Sequence, residues 1–250
     1  MASRTIRYGG EPYELSYEML HPSKESTILF LHGWGSNKEL MRQAFGKTLP
    51  EWRQLYLDLP GFGQSPNERF LRTADYAAIV RTFLQEIGIA PRVIAGHSFG
   101  GKVATLLDPD CLVLLSSAGV LVPKPFSVRA KIALFKALKP LGVQRLRSLF
   151  VSEDAKGMNP GMYETFKATV NEDFEENFRR VHGKALLFWG REDTATPLWT
   201  GERIAERIPD ARFYPMEGDH YFFLRPENAA FVAGTIEKEC READKRFSEE

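Results

Sequence analysis

Gly96-His97-Ser98-Phe99-Gly100-Gly101 decides the fold. An apolar, strand-like run, Arg92-Val93-Ile94-Ala95, precedes it, and a helix-like run, Lys102-Val103-Ala104-Thr105-Leu106-Leu107, follows. A G-x-S-x-G between a strand and a helix predicts a sharp turn that presents a nucleophilic serine. Bulky side chains two residues to either side would collide, which accounts for Gly96 and Gly100. The turn lifts the Ser98 hydroxyl clear of the sheet and sets it at a helix N-terminus. There the backbone N–H groups and the helix dipole favour negative charge. Acyl transfer builds such charge on the attacked carbonyl oxygen.

Around this turn the chain alternates strand and helix patterns. Tyr13 to Met19 alternates apolar and polar residues, as a half-buried edge strand does. Short runs that are apolar throughout follow: Ile28–Leu31, Leu55–Leu57, Val93–Ala95, Leu112–Leu115 and Ala185–Trp189, with a weaker one at Arg212–Met216. Helical periodicity marks Asp75 to Ile87, Trp199 to Ile208 and Asn228 to Cys240. Fully apolar strands separated by helices argue for a parallel sheet covered on both faces. The segment from about Leu121 to His182 breaks the rhythm. It is too long for one crossover and holds Pro123, Pro125, Pro140 and Pro160. It directly follows a strand, where site-forming loops gather, and reads as an inserted helical lid. The expected division is a core of residues 1–120 and 183–250 with a lid at 121–182.

Composition narrows the function classes. At 250 residues the chain suits one large α/β domain with an insertion. Lys+Arg and Asp+Glu both number 33, so the charge balance gives no sign of a nucleic-acid partner. No segment approaches the ~20 continuous apolar residues of a membrane span, and the N-terminus lacks a secretory pattern. Cys111 and Cys240 make neither a disulfide framework nor a metal-ligand spacing. Cys111 reads as a small core residue, and a cytoplasmic, reducing setting is the expectation.

Ser98 requires a base. Of the five histidines, His220 sits in Glu217-Gly218-Asp219-His220-Tyr221-Phe222, after the last strand pattern, where ligands bind. His32 and His97 lie beside tight glycine turns and are expected to hydrogen-bond local backbone, while His21 and His182 fall at element ends. The base needs an orienting carboxylate, and Asp193, shortly after the Ala185–Trp189 run, is the candidate, ahead of Glu192 and Asp219. Its bland alternative is a turn cap before Pro197. The chain order Ser98, Asp193, His220 completes a nucleophile–acid–base set. Two backbone donors for an oxyanion are expected from Phe99 and from Trp34 in His32-Gly33-Trp34-Gly35. Trp34, Phe99, Tyr221 and Phe166 are candidates for substrate contact.

These motifs, with Asp58-Leu59-Pro60-Gly61-Phe62-Gly63-Gln64-Ser65 and Gly190-Arg191-Glu192-Asp193, resemble the α/β-hydrolase superfamily in kind and order. The resemblance covers nearly the whole chain outside the lid. It implies a mostly parallel eight-stranded sheet flanked by helices, a cap after the sixth strand, and no cofactor or metal. A serine at the nucleophile position separates the chain from the haloalkane dehalogenase and epoxide hydrolase branches, which carry Asp there. The His-Gly-Trp-Gly and Asp-Leu-Pro-Gly-Phe-Gly pair is similar to that of pimeloyl-acyl-carrier methyl ester esterases and of meta-cleavage C–C hydrolases. Phe99 stands where many of those relatives carry Leu or Met.

The resulting expectation is a serine hydrolase cleaving a carboxylic ester or related acyl substrate, free or carrier-bound. Its rivals are C–C bond hydrolysis of a diketone by the same residues, and a ligand sensor on the same fold. From Leu121 to Ser152 there is no acidic residue, against Lys124, Arg129, Lys131, Lys136, Lys139, Arg145 and Arg147. This predicts a cationic patch for an anionic partner, or a solvated face neutralised by Glu172, Asp173, Glu175 and Glu176. Met158, Met162, Tyr163, Phe166, Val170, Phe174 and Phe178 either line an acyl pocket or pack as ordinary core.

Overall fold

Strands that are apolar at every position need cover on both faces, and one sheet between two helical layers supplies it. The computed structural model describes residues 2–123 and 158–247. The strands are β1 (Ala2–Tyr8), β2 (Glu11–Leu20), β3 (Thr27–Leu31), β4 (Arg53–Leu57), β5 (Val93–His97), β6 (Cys111–Leu115), β7 (Lys184–Gly190) and β8 (Ala211–Met216). They form a single sheet in the order β1-β2-β4-β3-β5-β6-β7-β8. The β1–β2 and β2–β4 pairs are antiparallel and the remaining pairs are parallel.

The helices are α1 (Lys38–Phe45), α2 (Thr73–Glu86), α3 (Phe99–Leu107), α4 (Pro160–Val170), α5 (Glu175–Phe178), α6 (Leu198–Arg207) and α7 (Pro226–Phe247). Side-chain alternation along each strand sorts the core into two layers. Leu29, Leu31, Ile94, Leu112 and Leu187 join Tyr76, Ile79, Val80 and Phe83 of α2 and Val103 of α3. Ile28, Phe30, Val93, Val113 and Phe188 join Met41 and Phe45 of α1 and Val232 and Ile236 of α7. Each large side chain fully buried this way contributes about 1.5–3 kcal/mol.

Strand order places the site. The chain runs from β3 outward to β4, then crosses back to pair β5 on the other side of β3. The loops after β3 and β5 therefore diverge at the carboxyl edge of two adjacent strands and leave a crevice, as expected at a topological switch point. The chain leaves the sheet after Leu115 and returns at Lys184, and α4 and α5 lie in that connection. Asn159 caps α4 by accepting from the Met162 N–H at 2.9 Å, with Pro160 at the first helical position. The basic run at 124–147 lies outside the described residues.

Two features depart from the sequence reading. Strand β1 went unread because Ile6 is its one buried residue and Arg4, Thr5 and Arg7 mask the alternation. Its last residue ties it to α2, where the Tyr8 hydroxyl donates to Asp75 at 2.7 Å. The two cysteines, expected as unpaired, are joined by a disulfide. They are 129 positions apart, yet Cys111 opens β6 and Cys240 lies on α7, with Cα atoms 6.3 Å apart. Packing of α7 on the sheet brings them together, and spacing along the chain gives no hint of it. The bond removes the support that unpaired thiols lent to a reducing compartment.

Unfolding the untreated protein in denaturant is expected to expose no alkylatable thiol, and two after reduction. Cys240→Ser should lower stability by roughly 4–5 kcal/mol in the chain-entropy limit for so long a loop. Two titratable thiols in the unreduced protein would contradict the pairing.

Candidate active site

Ser98 occupies the bend between β5 and α3 at φ 50° and ψ −114°. Such a backbone costs a residue with a side chain about 1–3 kcal/mol and is kept where the surroundings over-determine it. Here they do. A Cβ at Gly96 would stand 2.3 Å from the Gly100 carbonyl oxygen, and one at Gly100 would stand 2.5 Å from that of His32. The Ser98 N–H donates to the Leu115 carbonyl of β6 at 3.1 Å. The Ser98 carbonyl accepts from the Gly101 and Ala118 N–H groups, each at 3.0 Å. Among the described residues the Ser98 hydroxyl makes no hydrogen bond.

Asp193 and His220 come together from the loops after β7 and β8. Gly190 allows their approach, since a Cβ there would sit 2.1 Å from the Asp219 carbonyl oxygen. The Arg191 and Glu192 N–H groups then donate to Met216 and Gly218 at 2.9 and 3.0 Å, which zips the two loops. Asp193 Oδ2 accepts from His220 Nδ1 at 2.7 Å and from the Thr196 hydroxyl at 2.9 Å. Its Oδ1 accepts from the Ala195 and Thr196 N–H groups, both at 2.8 Å. The turn-cap role and the partner role thus coincide in one carboxylate. Burial alone would raise the Asp193 pKa, but the His220 hydrogen bond and charge, with the Thr196 N–H, hold it below the usual value. The carboxylate can only accept, so His220 Nδ1 is the donor in this bond. Asp219 instead takes the Tyr221 N–H at 2.8 Å.

His32 and His97 differ. His32 behaves as expected: Nδ1–H donates to the neighbouring Gly33 carbonyl at 2.8 Å, and Nε2 accepts from the Leu59 N–H at 3.0 Å. Burial holds it neutral. His97 was also expected to bond local backbone, but its Nε2 lies 3.1 Å from the carbonyl oxygen of His220. The turn exposes its ring to the β8 loop rather than to its own neighbours.

The His32-Gly33-Trp34-Gly35 loop lies against the serine, for a Cβ at Gly33 would be 3.1 Å from Ser98 Cβ. Neither the Trp34 nor the Phe99 N–H has an acceptor among the described residues. A fully buried ion pair props this loop from behind. Asp58 accepts from Lys38 Nζ at 2.6 Å, from the Lys38 N–H at 2.7 Å and from the Gln64 N–H at 2.9 Å. Burial opposes the Lys38 charge, yet the Asp58 and Glu39 carboxylates outweigh it and raise its pKa. Sequence reasoning missed Lys38, whose position on α1 carries no motif.

Aromatic rings wall the crevice. Trp34 packs against Phe62, Phe99 and Phe166 at centroid distances of 4.9, 5.5 and 5.3 Å, and Phe99 packs on Tyr76 at 5.0 Å. Tyr221 is 40% exposed, with its ring 5.4 Å from His220 and 5.1 Å from His97. Phe174 and Phe178 are core residues, and Val170 is half exposed. Three of the acidic residues named as neutralisers make ion pairs among the described residues. Glu172 pairs with the buried Lys102 of α3, Glu175 with Arg203 and Arg207, and Glu176 with Arg179. Among the described residues no group of three or more potential metal ligands occurs, and no helix is long and apolar enough to cross a membrane.

Comparison with known proteins places this geometry. A family model described as "Alpha/beta hydrolase family" matches residues 28–233. An uncharacterized hydrolase of Bacillus subtilis, YugF, is 28% identical over 247 residues, covering 84% of this chain and 88% of its own. A pimeloyl-acyl-carrier-protein methyl ester esterase of Neisseria meningitidis serogroup B is 25% identical over 225 residues, covering 78% and 86%. A thermophilic esterase from Thermogutta terrifontis superposes with TM-score 0.72 at 17% identity, covering 97% and 99%. That last likeness speaks for the fold alone.

Ser98→Gly should relieve the positive-φ cost, partly offset by the greater freedom of an unfolded glycine. Denaturant unfolding is expected to show a gain of about 1 kcal/mol. A clear loss of stability would contradict strain at this turn.

Proposed function

The chain belongs to the alpha/beta hydrolase family, and from that premise we propose that it is a serine hydrolase acting on carboxylic esters. The observation that carries the reading is the Asp193–His220 bond at 2.7 Å, made by a histidine whose ring lies 4.6 Å from that of His97, the residue next to the strained Ser98. In the proposed reaction the Ser98 hydroxyl attacks the ester carbonyl and His220 Nε2 takes its proton. Asp193 stabilises the imidazolium. The Trp34 and Phe99 N–H groups receive the oxyanion, each such donor contributing about 2.7–4 kcal/mol to the transition state. His220 returns the proton to the departing alcohol. It then activates a water that cleaves the acyl-enzyme and frees the acid and Ser98.

The aromatic wall supports an apolar acyl group as the substrate class, because Trp34, Phe62, Phe99 and Phe166 offer it surface without a charged partner. Tyr221, exposed at the rim, is assigned to the alcohol side. Residues 121–182 are assigned as a lid, with Phe166 of α4 as its contact to the pocket. The carrier-borne ester in the Neisseria relative's name makes a carrier-bound acyl chain one candidate form of the substrate.

A p-nitrophenyl ester series of rising acyl length tests the reading. Turnover is expected, with an optimum at a chain length set by the aromatic wall. Ser98→Ala should lower it by at least about four orders of magnitude while the protein stays folded. Turnover that survives Ser98→Ala would overturn the assignment.

A further inference from the structure

We infer that His97 is a positioning residue for the base: it sets the place of His220 relative to Ser98 by donating Nε2–H to the His220 carbonyl. The inference rests on the triad reading and adds to it a residue that neither the nucleophile motif nor the Asp193 bond requires.

The bond is long-range. It spans 123 positions and joins the last residue of β5 to the loop after β8. His97 is covalently next to Ser98, so the nucleophile and the backbone of the base are tied through a single side chain. A carbonyl oxygen only accepts, so Nε2 bears a proton, and in the neutral ring Nδ1 is then bare. Nδ1 is indeed buried and has no hydrogen-bond partner among the described residues. It faces the oxyanion loop, since a Cβ at Gly33 would lie 2.8 Å from it. The ring is gripped on its remaining sides by His220, Tyr221 and Phe223, at centroid distances of 4.6, 5.1 and 4.8 Å. Phe223 is fully buried. The imidazole therefore touches all three parts of the site: it adjoins the nucleophile, bonds the base loop and fills the space beneath the oxyanion loop.

Its charge state suits the role. Burial first, and the charge His220 acquires second, press the His97 pKa well below the usual histidine value. His97 thus stays neutral while His220 gains a proton, and the donor that fixes the base is unchanged through the cycle. Leaving a buried polar atom unpaired at Nδ1 is unfavourable, and its retention is explained if Nε2 on the same ring is what the site needs.

Two substitutions separate the hydrogen bond from packing. His97→Gln keeps an N–H donor at the reach of Nε2, whereas His97→Leu fills similar space without one. Three readouts apply: kcat and KM on the best p-nitrophenyl ester, the low-field proton resonance of His220 Nδ1–H, and thermal unfolding. His97→Leu is expected to lower kcat by roughly 10- to 100-fold, as a misplaced catalytic group does, with KM little changed. It should also shift or broaden the His220 resonance. His97→Gln should restore most of both. If His97→Leu does not fold, His97→Asn, polar but too short to reach, takes its place against His97→Gln. Wild-type kcat and resonance in His97→Leu would overturn the inference, as would equal losses in Leu and Gln variants that fold normally. The resonance needs no substrate. If wild-type turnover is independent of Ser98 while the resonance still depends on His97, the triad reading fails and the bond to His220 stands.

Discussion

A serine at φ 50° between two glycines that admit no side chain is the constraint on which the rest depends. The bend exists because β5 must end, reverse direction into α3 and pass within contact of β3's loop in the same few residues. Gly96 and Gly100 make the crossing possible, and bonds from Leu115, Gly101 and Ala118 hold it. Once the bend is set, Gly33 of the loop after β3 lies against it, a Cβ there standing 3.1 Å from Ser98 Cβ. In the proposed reaction, strain that lowers stability is thereby converted into placement of the nucleophile.

Buried charge does similar work around the site. Lys38–Asp58 and Lys102–Glu172 each take a lysine out of water, and neither is an economical way to gain stability. What they gain is position. Asp58 collects the start of α1 and the Gln64 turn onto one carboxylate, and Leu59, the next residue, donates to His32. Lys102 on α3 reaches the Thr169 carbonyl in the last turn of α4 and Glu172 just after it, while Thr73 of α2 donates to the same Glu172. The helix that carries Phe166 to Trp34 is thus tied to the helix that starts next to Ser98. Loss of Lys38 would leave the fully buried Asp58 carboxylate without its ammonium partner, at a cost of about 3–5 kcal/mol.

Much of this was legible in the residues. The apolar runs at Ile28–Leu31, Val93–Ala95, Leu112–Leu115 and Ala185–Trp189 gave the parallel centre because full burial leaves no other composition. Asp193 and His220 stood out because each follows a strand pattern, and the structure joins them. Three of the illegible parts share one physical cause, which is that they depend on contacts distant in sequence. The Cys111–Cys240 bond, the Lys38–Asp58 pair and the His97–His220 bond each require the finished fold to bring partners together. Strand β1 stayed hidden for a different reason, since it is mostly exposed and carries no periodic apolar face. Helix α7 runs from Pro226 to Phe247, past the Asn228–Cys240 pattern, because its charged end lacks that periodicity.

The central claim is that Ser98 is the activated nucleophile, and covalent capture tests it most directly. The folded protein would be treated with a fluorophosphonate and digested, and the modified residue located by mass spectrometry. A single adduct on Ser98, absent from acid-unfolded protein and from His220→Ala, is the predicted result. Modification elsewhere, or labelling of Ser98 that does not depend on His220, would contradict the account.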